Sequence, residues 1–399
     1  MKIAVQFGAG NIGRGFMGQL FWEAGYMTSF VEYDTTLVSR LHRQKHYPLR
    51  LLDAYTAQEI DLVIDRFEAI ATTESSRIAE RIAEADVIGT AVGVNKLEQI
   101  APLLAAGMMR RRQRGHAPVD IYLCENIYGA AEMLKESVLE SLDAETANWV
   151  DLNVGFVGTS VARMVPATSD RFGVDDPLFV VADSYHKLPY DGVALRSKPL
   201  AIEGMKAVNN FRAEVERKLF THNLGHAALG YIGYLKGYAY VHEPFDDPEL
   251  SIIFDGALDE TTEALLKMYP NDLAPEEQHN IRKDVRIRFG NPMIMDTVQR
   301  VARDPIRKLG PHDRLIGSAN LCLKYDIFPQ HIAWVCGAAL CYDYADDPIA
   351  VKLQELIRVH GVGQTLQQVS GITPDSALGN SIIASYHELQ EKRKGWNKA

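Results

Sequence analysis

The stretch Lys2-Ile-Ala-Val-Gln-Phe-Gly8-Ala-Gly10-Asn-Ile-Gly13 decides the fold of the first half of this chain. Its apolar beginning predicts a buried strand, and the Gly-x-Gly-x-x-Gly pattern that follows opens a helical pattern over residues 12–24. Gly8 permits a tight turn, Gly10 lets the backbone approach a pyrophosphate, and Gly13 lets the helix pack closely on the strand. The free N–H groups at the start of the helix suit phosphate oxygens. The stretch therefore predicts a dinucleotide-binding turn.

An acidic residue at the end of the next predicted strand indicates which dinucleotide binds. Glu32 ends the strand 28–32 and lies 19 residues after Gly13. A carboxylate at this place accepts hydrogen bonds from the adenosine ribose hydroxyls and repels a 2′-phosphate. Tyr33 and Asp34, which follow it, supply no cation. We therefore expect NAD(H) and not NADP(H).

The rest of the first half alternates short apolar runs with helical patterns, which is typical of a parallel sheet with helical crossovers. Further strands are predicted at 86–91, 120–124 and 153–157, and helices at 35–44, 76–84, 97–112 and 128–142. A run at 178–182 is predicted to add a strand to the same sheet. The fold class predicted for residues 1–196 is α/β, a Rossmann-type doubly wound sheet buried on both faces.

A second segment at the end of a strand, Thr90-Ala91-Val92-Gly93, is expected beside the glycine turn. Ligands of such sheets bind at the carboxyl ends of the strands, so both segments would line one site. An ordinary strand-to-helix turn remains the alternative interpretation of this segment.

The second half has a different pattern, which begins after Ser197-Lys198-Pro199. Apolar residues recur with the 3.6-residue period of helices, and β-branched runs are few. An amphipathic helix is predicted at 203–219, with a buried apolar continuation through 224–235. Further helices are predicted at 249–269, 276–289, 292–303, 313–325, 329–342 and 348–360. We therefore predict a mostly α-helical C-terminal domain over residues 197–399, which would hold the substrate.

Composition excludes several classes of protein. The chain has 399 residues, of which 47% are hydrophobic, as expected of globular domains. Its net charge of −10 disfavours nucleic acid and anionic membranes as partners. No segment approaches the roughly 18 uninterrupted apolar residues of a membrane span, and the start of the chain leaves no room for a signal peptide. Four cysteines without a Cys-x-x-Cys pair favour a reducing compartment, so we expect a cytoplasmic protein.

Lys218, Asn223 and His226 form the candidate reactive set of the second half. Hydride transfer from an alcohol needs a group that takes the hydroxyl proton and donors that hold the developing oxyanion. At about 100° per helical residue the three side chains fall within an arc of roughly 140°. The spacing alone is weak evidence, because a lysine on a helix is usually solvated.

Two other patterns suggest different ligands but carry less weight. His222 and His226 have the i, i+4 spacing of zinc ligands, yet neither a neighbouring glutamate nor a third ligand accompanies them, so we predict no metal. The basic run 110–114 ends a helical pattern in an acidic chain. A solvated helix end explains it better than a nucleic-acid site.

Motifs along nearly the whole chain resemble those of the polyol-specific long-chain dehydrogenases. They are Phe7-Gly-Ala-Gly-Asn-Ile-Gly-Arg-Gly-Phe16, Cys124-Glu-Asn126, Glu216-Arg-Lys-Leu-Phe220 with Asn223 and His226, Arg288-Phe-Gly-Asn-Pro292, Arg307-Lys-Leu309 and Asp313-Arg-Leu-Ile316. The Lys-x4-Asn-x2-His spacing is the most specific of them. The resemblance implies a Rossmann domain followed by a helical domain, metal-independent NAD(H) chemistry, reversible reduction of a ketose, and a monomer.

The resemblance also implies a role for each reactive residue. Lys218 would be the general acid and base, Asn126 and Asn223 would donate hydrogen bonds to the reacting oxygen, and His226 would orient a neighbouring hydroxyl. A lysine has an ordinary pKa near 10.4, so it needs partial burial to act as a base at neutral pH. The expected cofactor-binding residues are Phe7, Gly8, Gly10, Asn11, Ile12, Gly13, Glu32, Thr90, Ala91, Val92 and Asn126.

A small sugar phosphate is the expected substrate. Arg307, Lys308, His312 and Arg314 cluster in a loop, and cations of this kind suit a phosphate. The resemblance implies that the reaction interconverts D-mannitol 1-phosphate and D-fructose 6-phosphate. Two positions depart from the family pattern: Ala162 stands before Arg163, and Tyr185-His186-Lys187 stands in place of an acid and tryptophan. A free polyol, or a hexuronate ketose such as tagaturonate or fructuronate, therefore remains an alternative substrate. A non-catalytic NAD(H)-binding redox sensor is the alternative from another class.

Overall fold

The chain divides into two compact units, Met1–Glu214 and Val215–Ala399. The structure is a computed structural model that describes residues 2–125, 127–166 and 172–396. The sequence-based boundary between residues 196 and 197 stays a prediction. Within the described residues, no helix is long and apolar enough to cross a membrane.

The first unit contains all the strands of the described chain. They are Ile3–Phe7 (β1), Met27–Glu32 (β2), Tyr47–Asp53 (β3), Gln58–Ile64 (β4), Phe67–Ala71 (β5), Val87–Thr90 (β6), Val119–Leu123 (β7), Val154–Gly158 (β8), Val180–Asp183 (β9), Leu188–Asp191 (β10) and Met205–Val208 (β11). Its helices are a π-helical turn at Gly13–Met17 continued by Gly18–Glu23 (α1), then Thr35–Gln44 (α2), Ser75–Glu84 (α3), Leu97–Gln113 (α4), Ala130–Glu140 (α5) and Ala144–Asn153 (α6). Phe211–Lys218 (α7) runs across the boundary between the units.

Six parallel strands form the main sheet in the order β5-β2-β1-β6-β7-β8. Counted along the chain within this sheet, the order is 3-2-1-4-5-6, that of doubly wound dinucleotide-binding folds. Val5 and Phe7 lie in one buried cluster and Ala4 lies in another. Alternation along a strand places these side chains on opposite faces, so both faces are covered. The predicted Rossmann-type sheet is confirmed.

The run at 178–182 forms a strand, but its predicted place in the main sheet is wrong. Val180–Asp183 instead pairs in parallel with β3, in a three-stranded sheet of order β4-β3-β9. Leu178, Val180 and Ala182 alternate into a buried cluster that also contains Leu49 from β3. Packing against β3 therefore determines which sheet this strand joins.

The second unit is helical, as predicted. A π-helical turn at Leu219–Asn223 leads into Leu224–Leu235 (α8). The later helices are Pro248–Met268 (α9), Pro275–Phe289 (α10), Val298–Ala302 (α11), Pro305–Lys308 (α12), Ile316–Lys324 (α13), Gln330–Leu340 (α14), Pro348–Ser370 (α15) and Ala377–Trp396 (α16). Gly361, with φ +78°, interrupts α15.

Two predicted helices have different bounds in the structure. The helix predicted at 203–219 begins at Phe211, because Met205–Val208 pairs with β10 after a turn at Gly204 with φ +85°. The helix predicted at 292–303 is broken. A short 3-10 turn, Pro292–Ile294, is followed by Met295 at φ +47°, and α11 starts only after Thr297 caps it. The break leaves Asp296 outside any helix.

Candidate active site

The glycine turn after β1 has the close contacts that its sequence predicts. Gly8 has φ +85°, and a Cβ there would lie 2.5 Å from the carbonyl oxygen of Ala91. A Cβ on Gly13 would lie 1.9 Å from the carbonyl oxygen of Gly8. These two glycines allow the turn, the first helix and the loop after β6 to pack closely together.

Gly10 differs from the other two glycines because a Cβ on it would have nothing within 4 Å. It is exposed beside Asn11, where the helical segment begins. The order of strands in the main sheet reverses between β1 and β6, which is where this turn lies. Open space beside exposed backbone and a helix start is what a pyrophosphate requires, so the turn fits a dinucleotide.

The loop after β6 lies against the glycine turn, as predicted. Phe7 pairs with Thr90, and the Ala91 N–H donates to the carbonyl oxygen of Phe7 over 2.8 Å. Ala91 and Val92 are half-buried, whereas Phe7 and Thr90 are wholly buried. Phe7 has its side chain in the core, so only its backbone faces the turn.

Glu32 is buried and braces the backbone around the turn. One carboxylate oxygen accepts the N–H of Ala9 over 2.8 Å, and the other accepts the N–H groups of Tyr33 and Asp34 over 2.8 and 3.0 Å. A carboxylate offers about four acceptor positions, so roughly one remains for a ribose hydroxyl. Glu32 therefore positions the glycine turn besides its predicted role toward the cofactor.

Glu125 is a residue of this region that the sequence did not single out. Its buried carboxylate accepts the Thr90 hydroxyl over 2.7 Å and the Val92 N–H over 3.0 Å. Burial raises the pKa of Glu125, and these hydrogen bonds oppose the rise. Glu125 thus ties the end of β7 to the loop after β6. Its neighbour Asn126, a predicted catalytic and cofactor residue, lies outside the described residues.

In the second unit, a π-helical turn separates the candidate lysine from the other reactive residues. Lys218 precedes the turn, Asn223 ends it, and the Leu224 N–H bonds to the carbonyl oxygen of Leu219, five residues back. In such a turn, position i+5 returns near position i, whereas in an α-helix position i+4 does. The turn therefore brings Lys218 and Asn223 closer to one face than the α-helical estimate. His226 follows Asn223 at i+3 within α8.

Two histidines and one phenylalanine pack together beside this turn. The ring of Phe289, at the end of α10, lies 4.6 Å from the ring of His226 in a stacked arrangement. It lies 4.9 Å from the ring of His222. The side chain of Gln278, also on α10, donates to the hydroxyl of Thr221 over 2.9 Å. Helix α10 therefore holds the π-helical turn and fixes both imidazole rings.

Asp296, in the break before α11, lies beside the candidate histidine. Its Oδ2 atom is 3.2 Å from Nε2 of His226, at an angle outside hydrogen-bond geometry. Arg300 donates two hydrogen bonds of 2.5 Å to the same carboxylate. Burial acts to raise the pKa of Asp296, but His226 and Arg300 outweigh it and hold that pKa well below its ordinary value. Burial likewise lowers the pKa of His226, with Asp296 opposing, so the imidazole is neutral near pH 7.

The predicted phosphate residues lie in three different environments. Arg314 is mostly buried, donates to Asp313 over 2.8 Å, and its charge acts on both His222 and His226. Arg307 is half-exposed and pairs with Asp304 and Asp313. Lys308 is buried, donates to the carbonyl oxygen of Arg303, and lies over the ring of Tyr231. Of the three, Arg314 is the one whose charge reaches the reactive histidines.

The described residues contain no group of three or more His, Cys, Asp or Glu side chains placed to hold a metal ion. His222 and His226 pack on Phe289 with their ring centres 6.1 Å apart. The residues of this region instead provide one lysine, one amide, two neutral imidazoles and several guanidinium groups. That set suits proton transfer to, and binding of, an anionic polyhydroxyl compound.

Comparison with known proteins matches both halves of the chain. A family described as the mannitol dehydrogenase Rossmann domain matches residues 2–204, and the mannitol dehydrogenase C-terminal domain matches residues 210–390. A protein named mannitol-1-phosphate 5-dehydrogenase from Caldanaerobacter subterraneus subsp. tengcongensis is 33% identical, over 98% of this chain and 100% of its own length. One of the same name from Exiguobacterium sp. is 36% identical, over 98% of each chain.

Solved structures agree with this assignment at the level of the fold. Mannitol 2-dehydrogenase of Pseudomonas fluorescens, in a ternary complex with NAD and D-mannitol, is 19% identical with a TM-score of 0.78, over 100% of this chain and 94% of that chain. A D-sorbitol dehydrogenase in substrate-free form is 17% identical with a TM-score of 0.79, over 98% and 93% of the two chains. Because both family domains match in order along nearly its whole length, the chain belongs to the mannitol dehydrogenase family.

Proposed function

We propose that this chain is an NAD(H)-dependent dehydrogenase that interconverts D-mannitol 1-phosphate and D-fructose 6-phosphate without a metal ion. The observation that carries the proposal is the set of Lys218, Asn223 and His226 around one π-helical turn, with the mostly buried cation Arg314 acting on the same histidine. Relatives named mannitol-1-phosphate 5-dehydrogenase, at 33–36% identity over 98% of this chain, support the substrate.

The cofactor would be held by the first unit. The pyrophosphate would bind to the backbone of Gly8, Gly10, Asn11, Ile12 and Gly13, and the adenosine ribose would bind to Glu32. The part of the dinucleotide next to the pyrophosphate would contact Thr90, Ala91 and Val92. Phe7 would support the turn from the core. When bound, the nicotinamide exchanges a hydride with a substrate carbon. The carboxylate of Glu32 would disfavour a 2′-phosphate, which supports NAD(H) as the cofactor.

The proton would be handled by the second unit. In reduction, Lys218 gives a proton to the oxygen at C2 of fructose 6-phosphate. In oxidation, it takes the proton from the C5 hydroxyl of mannitol 1-phosphate. Asn223, with Asn126, donates hydrogen bonds to the reacting oxygen, which stabilises the charge that develops there without changing the proton count. The neutral imidazole of His226, held by Phe289 and Asp296, orients the neighbouring hydroxyl.

The phosphate would be bound by the loop around Arg314. Its guanidinium group has little solvent around it, which strengthens its attraction to an anion, and a planar fork suits phosphate oxygens. We include Arg307, whose exposed guanidinium lies on the other side of Asp313. Lys308 would contribute through its position next to both arginines.

We also infer that the protein is cytoplasmic, works as a monomer and binds no nucleic acid. We further infer that residues 1–196 bind the cofactor and residues 197–399 bind the substrate. The net charge of −10 argues against polyanionic partners. All four cysteines are buried free thiols, which suits a reducing compartment. Light scattering of the purified protein tests the monomer, for which a mass of about twice 44.5 kDa would be the contrary result.

The substrate is tested by the initial rate of NADH oxidation in the presence of a chelator. We expect a rate with fructose 6-phosphate that exceeds the rates with fructose and tagaturonate by at least a hundredfold in kcat/KM. Activity on fructose or tagaturonate alone would contradict the phosphate substrate. Absence of turnover with every ketose would favour the non-catalytic sensor.

A further inference from the structure

His222 is a buried histidine of the reactive region to which neither the motif nor the proposed mechanism gives a role. Only 8% of it is exposed, and its Nδ1 atom has no hydrogen-bond partner among the described residues. A buried polar atom left without a partner destabilises a fold, so such an atom in a reactive region points to a ligand. The zinc interpretation of His222 and His226 does not supply one, because the described chain offers no third metal ligand.

The electrostatic surroundings of His222 are cationic. Burial is the main reason that its pKa lies well below the ordinary value, and the charges of Arg288, Lys218 and Arg314 lower it further. The ring is therefore neutral near pH 7, and one of its two nitrogens carries a proton that it can donate. An anion is the ligand that these positive charges and one N–H donor would bind together.

Two guanidinium groups with little solvent exposure act on this ring, one from α10 and one from the loop before α13. Arg288 is 4% exposed, precedes Phe289, and forms an ion pair of 3.2 Å with Asp284. Arg314 pairs with Asp313, which also serves Arg307, so two guanidinium groups share that carboxylate. A phosphoryl group is an anion whose oxygens suit guanidinium forks.

We propose that His222, Arg288 and Arg314 form an anion subsite of the second unit, in which Nδ1 of His222 donates a hydrogen bond to a phosphoryl oxygen of the substrate. The identity of the phosphate ester rests on the proposed function. The subsite explains how the protein distinguishes a substrate phosphate from a free hydroxyl. It adds the neutral His222 and the cation Arg288 to the phosphate-binding residues that the sequence predicted. The phosphoryl group takes part in binding only, and no bond to it forms or breaks.

Direct binding is tested on the unmodified full-length chain with inorganic phosphate as the probe. The protein is labelled with ¹⁵N-histidine, and the signals of His222 are assigned by their loss in His222→Asn. We expect saturable movement of the Nδ1 signal of His222 with phosphate, toward the value of a protonated, hydrogen-bonded nitrogen, and no such movement with chloride at equal ionic strength. An unchanged His222 signal, at phosphate concentrations that inhibit turnover competitively, would overturn the subsite.

Kinetics of matched variants test whether the hydrogen bond selects the substrate. Asn places a polar atom where His has Nδ1, whereas Leu fills similar space without one. We expect His222→Leu to lower kcat/KM for fructose 6-phosphate about ten- to a hundredfold, the range for a hydrogen bond to a charged group, through KM more than kcat. His222→Asn should recover most of the loss. His279→Asn, at an exposed position on α10, is the control and should match the wild type.

Two outcomes separate this subsite from the proposed function. If fructose 6-phosphate is not a substrate but inorganic phosphate still moves the His222 signal, the subsite stands and another phosphate ester is the substrate. If fructose 6-phosphate is reduced and His222→Leu leaves its KM unchanged while the variant remains folded by circular dichroism, the subsite is wrong and the function stands.

Discussion

Glu32 shows how one carboxylate can serve both the fold and the cofactor. Its position after the second strand was predicted from the sequence, but its three backbone hydrogen bonds were not, because a sequence does not show which N–H groups a turn leaves unpaired. Glu125 was missed for a similar reason. Glu125 precedes Asn126, the residue of this motif to which the resemblance gives a role. The partners of Glu125, Thr90 and Val92, are more than thirty residues away in the sequence.

Replacing Glu32 with Gln should weaken NADH binding. The amide keeps one acceptor oxygen but places an NH₂ group against a backbone N–H, so at least one hydrogen bond to a charged acceptor is lost, at a cost of about 1.5–3 kcal/mol. We expect an increase in the Kd for NADH of about tenfold or more in a fluorescence titration. Glu98→Gln, at an exposed site, should leave Kd unchanged. Equal Kd values for both variants and the wild type would show that Glu32 does not position the turn.

Lys308 should destabilise the protein in a pH-dependent way. Burial is the main cause that lowers its pKa to about 7, whereas an unfolded chain has a lysine pKa near 10.4. The folded state binds the proton less tightly, so the destabilisation is complete below pH 7 and disappears as the pH rises toward 10.4. We expect Lys308→Met to stabilise the protein by about 2 kcal/mol more at pH 6 than at pH 9 in urea unfolding. A gain that does not vary with pH would contradict the lowered pKa.

At the scale of elements, the π-helical turn Leu219–Asn223 sets the geometry of the reactive residues. Another π-helical turn among the described residues, Gly13–Met17, follows the glycine turn. Such turns are rare and occur frequently at functional sites. The sequence predicted continuous helix at both places, because one inserted residue changes the hydrophobic pattern too little to detect.

Lengthening this turn by one residue should abolish turnover without unfolding the chain. Insertion of an alanine after Leu219 would place the lysine and the asparagine six residues apart, so that Lys218 and Asn223 no longer return to one face of the helix. We expect kcat to fall at least a hundredfold while the circular dichroism spectrum keeps its helical form. Leu219→Ala keeps the length of the turn and should retain most of the activity. If the insertion variant turns over normally, the spacing that the π-helical turn sets does not matter for catalysis.

Each strand that the sequence missed contains at least one charged residue. Arg50 in β3 faces Asp61 in β4 and binds it through two hydrogen bonds, so neither strand is continuously apolar. In β5, Glu68 is held by Arg77 and Arg81 from α3. Five strands of the main sheet, β1, β2, β6, β7 and β8, were predictable because they are mostly apolar. Strands stabilised by ion pairs on one face need the positions of their partners, which the sequence does not give.

The broken helix before α11 is a further feature beyond prediction. Pro292 and the apolar residues after it fit a helix, but Met295 adopts a left-handed conformation and Asp296 turns toward His226. Tertiary contacts therefore outweigh local propensity at this point. The role of Asp296 could not be inferred from the sequence, because seventy residues separate it from His226.

Over the whole molecule, several carboxylates stabilise the fold at neutral pH and lose that effect in acid. Asp296 is a buried example, and its pKa is held far below the value of about 3.9 in an unfolded chain. A lowered pKa contributes stability above the unfolded value, and this contribution is lost as the pH falls through the folded value. Exposed pairs contribute less.

The stability difference between the wild type and Asp296→Asn should therefore depend on pH. We expect the variant to be less stable by about 1–3 kcal/mol at pH 7, because Asn accepts the Arg300 hydrogen bonds less strongly. The difference should shrink as the pH falls below about 4. Urea unfolding at pH 7 and pH 3 measures it. A difference that is the same at both values would contradict the lowered pKa of Asp296.

Lys218, as the group that moves the proton, is the central residue of the proposed mechanism. The most direct measurement compares Lys218→Ala with the wild type in NADH oxidation by fructose 6-phosphate and in NADH binding by fluorescence. We predict a loss of turnover of at least a thousandfold with Kd for NADH within twofold, while Lys267→Ala, an exposed lysine paired with Glu263, behaves as the wild type. Turnover within tenfold of the wild type in Lys218→Ala would remove Lys218 from the mechanism and contradict the account.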